Sequence, residues 1–300
     1  MKKLNGVTVA MVTPFDKNGE VNLEAVRNLS SFLIDKGVDA LFPLGTTGEM
    51  YRLNIAERKK IAEAVLKEAA GRVTVYLHTG AMRMDETIEL SQHAEKIGAD
   101  GIGVVTPSYF NVNDRELEEY YTAVAESVSE NFPVYLYNIP QCSANDLSAE
   151  VAEKLYQKHS NIVGIKYSYP DIMKTNKYLE IGDGQFSVMH GTDKLMHTLL
   201  TLGCAGVVSG ISSVYPEPFV ALYQAYQNND QEKILKVKKI AAKFVETLKA
   251  GTNLAYFKAA LNRRGINAGY MRRPQLELTA AEKEELYANL DILEDQLKLL

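Results

Sequence analysis

Lys166 closes a short apolar run, Asn161-Ile162-Val163-Gly164-Ile165-Lys166-Tyr167-Ser168, and its position suggests a specific chemistry. In a strand buried on both faces, successive residues alternate sides. Ile162, Gly164 and Lys166 would then share one face, with Val163 and Ile165 packing the other face under helices. Gly164 would leave space directly below the Lys166 stem. An ammonium aimed into such a space is poorly solvated, so its pKa falls and the neutral amine becomes a nucleophile for carbonyl carbon. Schiff-base chemistry is the first expectation. The competing reading is a lysine that caps a strand end and points to water.

Other segments bear on that choice. Gly45-Thr46-Thr47-Gly48-Glu49 places two hydroxyls and exposed N–H groups between glycines, a compact cradle for a carboxylate. A turn whose threonine caps the next helix is equally compatible with it. In Tyr135-Leu136-Tyr137-Asn138-Ile139-Pro140, the two tyrosines share a face, and a phenol beside an amine can relay protons during imine formation. Alone, Tyr137 reads as a core residue with a satisfied hydroxyl. Thr106-Pro107-Ser108-Tyr109-Phe110-Asn111 is a loop with two aromatics, suited to function or to subunit contact. In His190-Gly191-Thr192-Asp193-Lys194, Asp193 either binds substrate hydroxyls or caps a helix; Ser209-Gly210-Ile211-Ser212 follows a later apolar run.

These segments need elements to position them. Apolar runs at 7–12, 40–44, 73–78, 101–105, 134–137, 162–166, 186–190 and 206–209 alternate with stretches of helical spacing. Asn22 and Asn54 stand where N-caps belong, and Gly37, Gly71 and Gly98 where those helices would stop. Strands alternating with helices in this number predict an α/β fold, a closed parallel (β/α)8 TIM barrel, with its site at the C-terminal ends of the strands. No GxGxxG follows the first run, against a dinucleotide fold. After residue 215 only helical patterns remain, at 216–228, 231–249, 253–264 and 279–300. The expected organisation is a barrel over residues 1–228 and a C-terminal helical extension of the same unit over 229–300.

Composition narrows the function. The chain has 300 residues, 46% hydrophobic and 24% charged, with a formal net charge of -5. That balance suits a globular protein and gives no basic surface for nucleic acid. Two cysteines, Cys142 and Cys204, make neither a disulfide framework nor a CxxC zinc pair, and the five histidines lack HExxH spacing. No metal is expected. No run approaches a membrane span, and the apolar stretch after Met1-Lys2-Lys3-Leu4 is too short for a signal peptide. The expectation is a complete, soluble, cytoplasmic protein with no membrane partner.

Together, GTTGE, the TPxY of residues 106–109, YNIP at 137–140 and Gly164-Ile165-Lys166 resemble the Schiff-base (class I) pyruvate aldolase family of dihydrodipicolinate synthase and N-acetylneuraminate lyase. The resemblance runs from about Gly6 to Pro274, with the segments in order. It implies a barrel with three C-terminal helices, usually a homotetramer, and no cofactor beyond the covalent imine. By that resemblance Lys166 forms the imine with pyruvate or a 2-oxo acid, and Tyr137 relays protons. Thr46 and Thr47 hold the carboxylate or link Tyr137 to a partner tyrosine. Tyr109 is similar to that partner, which reaches a neighbouring subunit's site. Val208 matches the position whose carbonyl contacts the bound 2-oxo acid.

Departures bear on the substrate. The synthases usually carry arginine two residues after YNxP for the second substrate's carboxylate; here that residue is Cys142, which cannot make a bidentate contact. The lyases resemble this run better, with a following serine matched by Ser143. Their Asp-Glu pair after strand seven is Asp193-Lys194 here, and their serine after strand eight is Gly210. Ser168 keeps a hydroxyl where they have threonine. Substrate-binding residues are therefore expected among Thr46, Thr47, Ser168, Gly191, Asp193, Lys194, Val208 and Gly210, and catalytic ones in Lys166, Tyr137, Thr47 and Tyr109. Lys194 would favour an acidic or phosphorylated sugar acid, or would point to solvent. The leading expectation is an aldolase for a 2-oxo-3-deoxy sugar acid such as N-acetylneuraminate or 2-keto-3-deoxygluconate, with pyruvate and an aldehyde as partners. The alternatives are dihydrodipicolinate synthase or a dehydratase on the same imine, and a non-catalytic 2-oxo acid sensor.

Overall fold

A computed structural model describes residues 1–298. Eight parallel strands close into a barrel in sequence order: β1 (Gly6–Ala10), β2 (Ala40–Phe42), β3 (Thr74–His78), β4 (Gly101–Val105), β5 (Val134–Asn138), β6 (Ile162–Tyr167), β7 (Ser187–His190) and β8 (Gly206–Ser209). The last strand pairs with the first, Val208 opposite Thr8. The expected (β/α)8 fold is the observed one.

Around the barrel run α1 (Leu23–Asp35), α2 (Ile55–Ala69), α3 (Met84–Lys96), α4 (Asp114–Glu126), the single turn α5 (Pro140–Ser143), α6 (Ala149–Lys158), α7 (Ile172–Glu180), α8 (Met196–Leu202) and α9 (Glu217–Gln227). Three more follow: α10 (Gln231–Thr247), α11 (Leu254–Arg263) and α12 (Ala280–Leu297). The end of the last helical pattern, residues 299–300, lies outside the described residues. The side chains of Asn22 and Asn54 accept from the backbone N–H groups of Ala25 and Glu57, satisfying donors that a helix start leaves free. The helices α1, α2 and α3 end two residues before Gly37, Gly71 and Gly98. Among the described residues no helix is long and apolar enough to cross a membrane.

Two apolar layers result. Val7, Val9, Leu41, Val75, Leu77, Ile102, Val104, Leu136, Ile165 and Val207 face outward and pack under the helices. Ala10, Ala40, Phe42, Tyr76, Tyr135, Val163, Met189 and Val208 fill the interior, with Leu4 below. A filled interior leaves room for a ligand only at its open end.

The alternation expected for β6 fails at its start. The β5–β6 register shifts between Val134 and Tyr135: Val134 pairs with Ile162, but Tyr135 pairs with Gly164. The extra residue is Val163, a bulge that restarts the alternation. Ile162 therefore belongs to the outer layer and Val163 to the inner one, the reverse of the sequence reading. Ile165 stays outside and Lys166 inside. Gly164 does not leave space open, either. A Cβ there would stand 2.2 Å from the Ser187 carbonyl oxygen and 2.7 Å from Cε1 of Tyr135, so the Tyr135 ring occupies the gap. Its hydroxyl accepts from Leu4 N–H (3.1 Å) and donates to Ser187 Oγ (2.7 Å). Gly164→Ala should thus cost about 1–3 kcal/mol of stability through overpacking, read as a lowered denaturation midpoint. An unchanged midpoint would contradict this packing.

Candidate active site at the C-terminal barrel mouth

Lys166 and Tyr137 are directly paired in the β5–β6 ladder, so the two side chains stand side by side on the inner face. The Lys166 Nζ lies 3.3 Å from the Tyr137 ring centroid and 5.9 Å from that of Phe42. It donates one hydrogen bond, to Ser168 Oγ at 3.0 Å. Among the described residues no carboxylate forms an ion pair with it. Burial holds its pKa well below the ordinary lysine range, opposed only partly by the nearby Asp193 and Cys142. The amine is buried yet borders the cleft.

Tyr137 is buried, and its hydroxyl shares a 3.2 Å hydrogen bond with Thr46 Oγ1. Burial pushes the phenol up to about 12, against hydrogen bonds to Thr46 and Ser168 that lower it. It is neutral at pH 7, with a proton it can give and take back.

The two threonines separate. Their turn is closed by Glu49 N–H to the Thr46 carbonyl (3.1 Å), Met50 N–H to the Gly45 carbonyl (3.2 Å) and Thr13 Oγ1 to the Gly48 carbonyl (2.7 Å). Thr46 turns to Tyr137, while Thr47 faces the end of β8: a Cβ on Gly210 would lie 3.2 Å from Thr47 Oγ1. The expectation placed Thr47 in the catalytic group; the contact with Tyr137 belongs to Thr46.

These groups open into a cleft of about 620 Å3, lined also by Ser168, Gly191, Asp193, Val208 and Gly210. Gly191 is required by packing, since a Cβ would sit 2.1 Å from Ser168 Oγ, the partner of Lys166. Gln141 Nε2 donates to the Ser168 carbonyl at 2.7 Å and fixes the same segment from α5. The Oδ1 atom of Asp193 is buried without a hydrogen-bond partner, and Oδ2 accepts weakly from Ile211 N–H at 3.5 Å. The short 3-10 turn from Asp193 to Leu195 has Thr192 as its cap residue, α8 has Leu195, and neither has a side-chain cap bond, so Asp193 does not cap the helix that follows it.

Two expected residues are elsewhere. Lys194 does not line the cleft and pairs instead with Glu246 on α10 at 2.8 Å. Tyr109 is 77% exposed, packed edge-on to Phe110 with centroids 5.0 Å apart, and does not line this chain's own cleft. Its neighbour Ser108 does, bonded to Tyr51 at 2.5 Å.

Several lining residues escaped the sequence reading. Arg52 and Gln275 bond each other at 2.7 Å across the mouth, and Arg52 also meets Glu49 at 2.6 Å. Ala250, Gly251, Thr252, Leu254 and Phe257 bring the C-terminal helices into the wall. A lysine inside the apolar pattern of α11, Lys258, was the one available signal. Among the described residues no group of three or more His, Cys, Asp or Glu side chains could hold a metal ion.

The sequence matches the dihydrodipicolinate synthetase family over residues 3–293. The chain belongs to this family. It is 36% identical over 281 residues to a 4-hydroxy-tetrahydrodipicolinate synthase of Syntrophus aciditrophicus, covering 94% of this chain and 95% of that protein. It superposes with a TM-score of 0.92 on YagE of E. coli K12, a prophage protein of the family solved with pyruvate, at 31% identity over 98% and 99% of the two chains. An N-acetylneuraminate lyase from Mycoplasma synoviae aligns with a TM-score of 0.87 at 27% identity, covering 97% of each chain. The protein is thus a lyase of the Schiff-base pyruvate aldolase family, and the reading as a non-catalytic sensor loses its ground.

Asp193 gives the site a pH signature. Burial pushes its carboxyl from 3.8 up to about 7. The folded state then holds a proton that the unfolded state releases, so this group's contribution to stability falls as pH rises from about 4 to about 7. In Asp193→Asn that component of the pH dependence should vanish from the denaturation midpoint. An identical profile in both proteins would show that Asp193 titrates normally.

Proposed function

We propose that the protein cleaves, or in reverse forms, a 2-oxo-3-deoxy sugar acid by way of an imine on Lys166. The observation that carries this reading is the buried Lys166 amine lying 3.3 Å from the Tyr137 ring centroid, with no carboxylate paired to it. The neutral amine adds to the C2 carbonyl, and the carbonyl oxygen leaves as water with protons moved by Tyr137 and Thr46. In the protonated imine, the electron pair of the C3–C4 bond flows toward nitrogen as the Tyr137 phenolate, left when its own proton went out on the departing water, takes the C4 hydroxyl proton. The aldehyde departs; protonation of the enamine at C3 and hydrolysis return pyruvate and free Lys166. Thr47 and the N–H groups of its turn hold the 2-oxo acid carboxylate, and the Val208 carbonyl contacts the bound acid. Asp193, Ser168 and the backbone at Gly191 and Gly210 serve the hydroxylated tail.

The preference for a sugar acid rests on the cations. Among the described lining residues the cationic side chains are Lys166 and Arg52, and Arg52 is held by Glu49 and Gln275. Cys142, exposed at the wall, stands at the position that would hold a second carboxylate. Gln141, Ser168, Asp193 and Thr252 suit hydroxyls instead. Dihydrodipicolinate synthesis is the second reading, favoured by the name of the Syntrophus relative. The exposure of Tyr109 and Phe110 supports a homotetramer in which Tyr109 enters a neighbour's site.

Borohydride with pyruvate should reduce the imine and label Lys166, seen by peptide mass spectrometry, with no label in Lys166→Ala. An unlabelled wild-type protein would overturn the imine. Cleavage assays over N-acetylneuraminate, 2-keto-3-deoxygluconate and its phosphate should then show turnover. Product from pyruvate plus aspartate semialdehyde, with no cleavage on that panel, would give the function to the second reading.

A further inference from the structure

Lys258 lies on α11, fully buried, on a helix that belongs to no part of the strand framework. Its Nζ stands 2.8 Å from Glu49 Oε1, donates to the Tyr270 carbonyl oxygen at 2.8 Å and sits 4.3 Å from the Phe15 ring centroid. Glu49 is equally buried, and its other oxygen is met by Arg52 at 2.6 Å. The backbone of Glu49 has φ +58°, the left-handed region that side chains with a Cβ disfavour. Its N–H closes the turn on the Thr46 carbonyl at 3.1 Å. One end of Glu49 therefore shapes the turn carrying Thr46 and Thr47, and the other is gripped by Lys258.

We infer that Lys258 is a positioning residue for the reaction: acting through Glu49, it holds Thr46 against the Tyr137 hydroxyl and Thr47 over the end of β8. A buried ion pair returns little net stability once its desolvation is counted, so the geometry it fixes is its main consequence. Released from Lys258, the Glu49 backbone relaxes from the left-handed region, and the Thr46 hydroxyl leaves the 3.2 Å contact with Tyr137. The C-terminal helices thereby reach the proton relay without touching substrate. The inference rests on the imine reading, whose failure shows separately in the wild-type protein.

The test needs no aldehyde. An imine of pyruvate loses a methyl proton to give the enamine and takes back a deuteron from D2O, and NMR follows the exchange. Borohydride trapping measures imine formation in parallel. Lys258→Met leaves a buried, half-paired carboxylate, so the variant Glu49→Gln/Lys258→Met is the cleaner probe. It should melt close to the wild-type temperature and still trap pyruvate on Lys166, yet exchange on the order of tenfold to a hundredfold more slowly, as sub-ångström to ångström misplacement of a reacting group costs. The loss should fall on kcat for exchange rather than on KM. Wild-type exchange in the double variant would reduce Lys258 to a counter-charge and overturn the inference. So would a double variant without a cooperative melt, since the pair would then support the whole fold. Absence of trapping in the wild-type protein would instead defeat the imine reading.

Discussion

The burial of the Lys166 amine without a paired carboxylate is the constraint on which the rest depends. An ammonium in water is no nucleophile, and only burial without a compensating carboxylate makes the neutral form available at ordinary pH. The fold achieves this by pairing Lys166 with Tyr137 across β5 and β6, so that the ring covers the amine. Below, the interior is filled by Tyr135, Phe42 and Met189. The single hydrogen bond to Ser168 orients the amine without charging it, and Gly191 keeps the space in which that hydroxyl sits. Each of these contacts serves the same electrostatic end.

The proposed imine chemistry needs protons moved to and from the amine, and the turn after β2 supplies the hydroxyl that meets Tyr137. The turn is strained at Glu49 and is held from three sides: by Thr13 on the chain before α1, by Arg52 next to it, and by Lys258 from the C-terminal helices. Thr46 and Thr47 consequently face different partners although they are neighbours in sequence. Among the described lining residues the remainder of the cleft is poor in free cations, since Arg52 is held by Glu49 and Gln275.

Much of this was legible in the sequence, for definable reasons. Strands buried on both faces read as apolar runs, and asparagine caps with glycine stops delimit the helices between them, so the barrel and its order followed. Lys166 and Tyr137 followed from strand ends and barrel adjacency. What failed depended on details that periodicity does not encode. The bulge at Val163 adds one residue, and a period-two argument has no means to count it; the face of Lys166 survived only because it lies beyond the bulge. The space assigned to Gly164 is filled by a side chain from the adjacent strand. Thr46 and Thr47 could not be told apart, since the turn, not the residue type, decides which hydroxyl meets Tyr137. Lys194 was lost for a similar reason, being one residue past a side chain that does face the cleft. Lys258 is separated from Glu49 by most of the chain, and only the closed fold brings them together.

The protonation of the Lys166 amine can be measured at its own site. Lysine labelled with 13C at Cε gives a resonance for each side chain, and Lys166→Met identifies the one that belongs to Lys166. Its chemical shift followed across pH should report a titration well below that of the other lysines, with the amine neutral under conditions where they remain charged. A Lys166 resonance that titrates together with the surface lysines would contradict the account.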